Sequence, residues 1–75
     1  MRQFVVNAEW DAEAGVYWAH SDEIPLTTEA ATFEGLVERV NAIAPEILVL
    51  NGLARAGDRV AVRVVVAKEA ELSVA

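Results

Sequence analysis

The stretch FVVNAEWDAEAGVYWAHS, residues 4–21, decides the fold, because the turn inside it sets which side chains can share a core. Phe4, Val6, Ala8 and Trp10 alternate with Val5, Asn7 and Glu9, the period of two that marks a half-buried strand. Asp11 to Gly15 supply turn chemistry, with Gly15 free to take the positive φ that a hairpin loop demands. Val16 to Ser21 then returns antiparallel as a second strand rich in β-branched and aromatic residues. A symmetric five-residue loop opposes Trp10 to Val16 and Ala8 to Trp18. Both indoles then share the face of Phe4 and Val6 as core residues, while Tyr17 and Ala19 share the other face with Val5. A slip of one residue reverses that assignment.

Outward from the hairpin, DEIPLTTEAATFEGL (residues 22–36) runs through Pro25 into a short third strand, Thr27 to Ala30, and then to Thr32, a good helix N-cap. Gly35 stands where a capping box would place Glu or Gln. Phe33, Leu36, Val37, Val40, Ile43, Ala44, Ile47 and Leu48 recur at spacings of three and four, which predicts an amphipathic helix packed on a sheet. Pro45 predicts a kink or break near Asn41 to Pro45, and Asn51-Gly52 predicts the helix end. Asp58 to Leu72 reads as a long fourth strand. Val60, Val62, Val64 and Val66 line one face, and Arg59, Ala61, Arg63, Val65 and Ala67 the other. The order is βββαβ, an α+β domain over residues 1–75 with a mainly antiparallel sheet of three or four strands and one helix on one face. A right-handed crossover sets the fourth strand parallel to the third or, beyond it, beside the first.

Seventy-five residues hold one small core, and a chain this short buries only about 60% of its unfolded surface. With 55% hydrophobic residues and no cysteine to cross-link it, a homodimer is the expected state. A self-association patch of Val5, Tyr17, Val65 and Ala67 would serve it. The only early apolar run, Phe4 to Val6, is far too short for a secretory or membrane segment, so a cytoplasmic protein is expected. The net charge of −6 is concentrated in residues 1–51, where nine acids face Arg2 and Arg39. That balance disfavours nucleic acid and favours a basic protein partner.

No residue set here carries an evident chemistry. His20, the single histidine, has no neighbouring nucleophile or oriented partner at a spacing that would make it a base. Glu9, Asp11 and Glu13 fall around the hairpin tip and Asp22 and Glu23 at its far end, so the five acids need not converge on a metal. Asn7 takes the mid-strand position at which a two-metal nuclease needs a carboxylate. Arg55, Arg59 and Arg63 form a small basic strip that suits solubility and edge protection better than phosphate binding.

Several short stretches resemble the HicB-like antitoxin domain, a reduced RNase-H-like fold, and still more a small family of related stand-alone domains with no assigned function. The matching residues are Trp10-Asp11-Ala12-Glu13-Ala14-Gly15-Val16, Ser21-Asp22-Glu23-Ile24-Pro25, Thr28-Glu29-Ala30 and Thr32-Phe33-Glu34 with Leu36-Val37. Ala44-Pro45-Glu46-Ile47-Leu48 and Asn51-Gly52 fit the smaller family too. The resemblance implies a non-enzymatic, antitoxin-like interaction module that binds a toxin-like basic partner, with no cofactor. Asp22, Glu23, Thr27, Thr28 and Glu29 at the third strand are the expected partner-binding residues. Leu26 replaces the glycine that HicB-like chains commonly carry after the proline, and no DNA-binding segment is recognisable. The alternatives are a residual metal-dependent nuclease using Glu9, Asp11 or Asp22, and RNA binding through Arg59 and Arg63.

Overall fold

Asp11 organises the first turn. In the computed structural model, which describes residues 2–66, its side-chain Oδ1 accepts hydrogen bonds from the Glu13 and Ala14 amides at 3.1 Å each. Its carbonyl accepts one from Gly15, which sits at φ +70°. Asp11 therefore closes the ladder itself and pairs with Val16, leaving a loop of Ala12 to Gly15 between β1 (Arg2–Asp11) and β2 (Val16–His20). The loop is one residue shorter than the symmetric one expected. That single residue shifts the register so that Trp10 faces Tyr17, Glu9 faces Trp18 and Ala8 faces Ala19. Tyr17 and Ala19 consequently lie on the face of Phe4 and Val6, and Trp18 lies on the face of Val5, the reverse of the expected assignment.

Ser21 fixes the exit from β2. Its hydroxyl donates to the Val5 carbonyl at 2.6 Å and accepts from the Glu23 and Ile24 amides. The chain then turns at Pro25, with the Leu26 amide bonded to the Ile24 carbonyl at 2.7 Å. Ile24 and Leu26 are both driven into the core while Pro25 stays outside. Leu26 thus fills volume that a glycine at this corner would leave empty. β3 (Thr27–Ala30) pairs antiparallel with β2 and forms one edge of the sheet.

α1 (Phe33–Leu50) starts at Thr32, whose Oγ1 accepts from the Gly35 amide at 3.0 Å. A Cβ at position 35 would stand 3.0 Å from that oxygen, which accounts for glycine where a capping box would put glutamate. Leu36, Val40, Ala44 and Leu48 form the buried stripe. The break expected at Pro45 does not occur, and the helix is one element through Leu50. Pro45 and Asn41 both lie on the outer side, where the Asn41 carbonyl that loses its amide donor is open to water. At the C-terminus Gly52, at φ +69°, donates to Val49 and Leu53 donates to Leu48, the paired bonds of a Schellman motif.

Leu53 and Ala54 pack on the core as the chain returns, and a turn from Arg55 to Asp58 leads to β4 (Val60–Val66). β4 lies beside β1 and parallel to it, giving a sheet of order β3-β2-β1-β4 with two antiparallel neighbour pairs and one parallel pair. Of the long strand expected to Leu72, the part after Val66 lies outside the described residues. Phe4, Val6, Ala8, Ala19, Ile24 and Leu26 meet the helix stripe in a single core, with no buried polar residue among the described ones. No helix among the described residues is long and apolar enough to cross a membrane.

Candidate functional site

The helix covers one face of the sheet, and among the described residues nothing covers the other. Strand alternation and the observed registers place the side chains of that open face in rows across the strands. Glu29, Trp18 and Glu9 form one row, Thr27, His20, Asn7 and Val65 the next, then Val5 with Arg63 and Gln3 with Ala61. The face is divided in character. Its β4–β1 half carries the half-buried Val5, Ala61 and Val65 around an exposed Arg63. Its β2–β3 half is acidic and aromatic.

Trp18 is the centre of that second half. The His20 ring stacks on it at 4.5 Å with 26° between planes, and His20 Nε2 lies 2.7 Å from Glu9 Oε2. The fold therefore gives His20 the oriented partner that sequence spacing did not reveal. Glu9 precedes it by eleven residues and becomes its diagonal neighbour across the β1–β2 ladder. No serine or threonine hydroxyl is hydrogen-bonded to the imidazole among the described residues, and Thr27 stands directly across from His20 on β3. On the β3 side, Trp18 borders a hollow of about 460 Å³ lined also by Asp11, Val16, Thr27, Thr28 and Glu29. Trp18 is 36% exposed there, and Glu29 makes no ion pair among the described residues.

Of the partner-binding residues expected at the third strand, Thr27 and Glu29 reach the open face. Thr28 points to the helix side, half-buried, and Asp22 and Glu23 stand exposed on the preceding bend. The self-association patch is divided. Val5 and Val65 share the open face, Tyr17 lies on the opposite one, and Ala67 lies outside the described residues. Neither indole is a core residue. Trp10 is 52% exposed beyond the end of the helix-covered face, with its ring 4.8 Å from Tyr17, which in turn meets Phe33 edge-on at 5.9 Å.

The acids considered as metal ligands do not gather, since no three of His, Asp and Glu are grouped to hold a metal among the described residues. Asp11 spends one oxygen on its own turn, Glu9 is bonded to His20, and Asp22 lies past the other end of β2. Arg55 and Asp58 close their own turn, while Arg59 is exposed just before β4 and Arg63 at the middle of it. The roles of Trp18 and Glu9 were hidden by the register. Only knowledge that Asp11 would cap its own loop could have disclosed them.

A solved structure shares this arrangement: the hypothetical protein TTHA1013 from the extremely thermophilic bacterium Thermus thermophilus is 40% identical, with a TM-score of 0.82. The alignment covers 95% of this chain and 100% of that one. No curated protein matches the chain. A family model does match, over residues 3–75, and the chain accordingly belongs to the domain of unknown function family DUF1902.

Proposed function

We propose that this chain is a non-enzymatic, cytoplasmic protein-interaction module, antitoxin-like in the manner of HicB-like domains, acting as a homodimer that binds a basic protein partner. The observation that carries this reading is the divided open face. One half offers apolar surface suited to a second copy, and the other offers Glu29, unpaired among the described residues, beside the edge strand β3. An edge strand presents unpaired backbone groups on which an extended segment can add, and Asp22, Glu23 and Glu29 supply the charge that selects a basic one. Among the described residues no hydroxyl is bonded to the His20–Glu9 pair and the acids share no common centre, which favours binding over hydrolysis.

The experiment is capture from native lysate on the immobilised chain, repeated with Asp22, Glu23 and Glu29 all changed to lysine. A stoichiometric partner of high pI, held by the unaltered chain and released by the triple variant, is the expected result. A chain that retains nothing, or that retains the same proteins after charge reversal, removes the reading.

A further inference from the structure

We propose that the open sheet face pairs with the same face of a second copy about a two-fold axis, so that Arg63 of each copy enters the Trp18–Glu29 hollow of the other. This rests on the homodimer reading above and gives it a face and a residue pairing, with Glu29 taken up in the dimer and the β3 edge with Asp22 and Glu23 left to the basic partner.

Arg63 is the one cation within the strands on this face among the described residues, and it is exposed amid half-buried Val5, Ala61 and Val65. Trp18, flanked across its strand pairs by Glu29 and Glu9, is the site best suited to receive it. An arginine stacks on an indole face and bonds carboxylates in the same plane. The two features stand at opposite corners. Arg63 is on the β4 edge level with Val5, and Glu29 is on the β3 edge level with Glu9, four positions further along β1.

Three strand spacings across (~14 Å) and four residues along (~13 Å) make a diagonal at roughly 45° to the strands. It is centred between Asn7 and His20. An in-plane two-fold axis perpendicular to that diagonal exchanges its ends, as a self-complementary contact requires. Arg63 then meets Glu29 of the second copy twice over, and each Trp18 lands by the second copy's Arg63 and Val65. The sheets cross at roughly 90°, one of the two arrangements in which sheets pack face to face.

The parallel β1–β4 pair argues for the same cover. Parallel strands occur mostly where both faces are buried and read as continuous apolar runs, as Phe4-Val5-Val6 and Val64-Val65-Val66 do. The helix supplies one cover, and a second copy supplies the other. The face, four strands wide, spans about 450 Å² in projection. That is below the ~800 Å² per partner of a standard interface, so the dimer is weak and concentration-dependent.

Sedimentation equilibrium of the full chain over a wide concentration range tests this, with circular dichroism confirming that each variant is folded. The expected result is a monomer–dimer equilibrium. Arg63→Glu and Glu29→Arg should each weaken it by roughly tenfold or more, since every change acts at two symmetric contacts. Trp18→Ala should weaken it by about as much. Combining Arg63→Glu with Glu29→Arg should restore most of the loss. Dimerisation indifferent to the single changes, or a double variant that recovers nothing, overturns this pairing while leaving a homodimer by another face. A chain monomeric at every concentration removes the homodimer as well. If that monomer binds an arginine-rich peptide and Glu29→Arg abolishes the binding, the hollow belongs to a basic partner and the proposal fails.

Discussion

The two faces of this sheet are built from alternate residues of the same four strands, yet they solve different problems. On the covered face, Val6, Ala8 and Ala19 meet Leu36, Val40 and Ala44 with no exposed surface at all. On the open face, Val5, Val65 and Trp18 keep part of their apolar area in water, and their neighbours include Glu9, Glu29 and Arg63. Small residues let the helix approach the first face closely. Large and charged ones give the second face a chemistry that something else can read. A substitution should therefore register as lost stability on one side and as lost association on the other, and that contrast can be broken experimentally.

The largest effect belongs to the covered face. Leu36→Ala removes a fully buried side chain at the N-terminal end of the helix stripe and should cost about 2–5 kcal/mol, read as a lowered midpoint in urea denaturation. A loss below ~1 kcal/mol would mean the helix does not cover the sheet as described. This stripe was legible in the sequence, because spacings of three and four residues persist for four turns and nothing local competes with them. The same holds for Thr32 and Asn51-Gly52, whose capping chemistry is local. The open face was not legible, because its membership turns on whether Asp11 belongs to the loop or to the ladder. The decision is made by two hydrogen bonds to a single carboxylate oxygen. In a structure of period two, that uncertainty moved Trp18, Tyr17 and Ala19 together to the wrong side.

A second prediction concerns the corner where the faces meet. Ser21 ties the bend to the Val5 carbonyl and holds the Glu23 and Ile24 amides, and through them it seats Ile24 and Leu26 in the core. Ser21→Ala strips three hydrogen bonds and leaves the part-buried Ile24 amide without its acceptor. The expected cost is about 1–2 kcal/mol in the same denaturation. From sequence, the chain runs through Pro25 into the third strand, with Asp22 and Glu23 at the far end of the hairpin. Asp22, Pro25 and Glu23 are exposed there, and the sequence reading missed the two apolar residues that the corner buries. Periodicity gives no warning of such residues, because a turn that inserts two side chains around an exposed proline follows no repeat. Thr32→Ala, which removes only the helix cap, should cost about 1 kcal/mol. If it cost as much as Leu36→Ala, the helix start would be part of the core and not merely its boundary.

The smallest effect on stability, and the sharpest test of the contrast, is expected at Trp18. Its cross-strand neighbours are two glutamates, and its one close aromatic partner is the half-exposed His20. Trp18→Ala should therefore lower the stability of the isolated monomer by less than ~1 kcal/mol. The more telling quantity is how the melting temperature varies with protein concentration. A state that associates only when folded is stabilised by mass action, so the Tm of the unaltered chain should rise with concentration. In Trp18→Ala the slope should flatten while the value at the dilute limit barely moves. Leu36→Ala should do the opposite, lowering the dilute-limit Tm severely and leaving whatever slope survives. If both variants shifted the dilute limit alike, the two faces would be one cooperative core, and the open face would owe its apolar residues to folding and not to a partner.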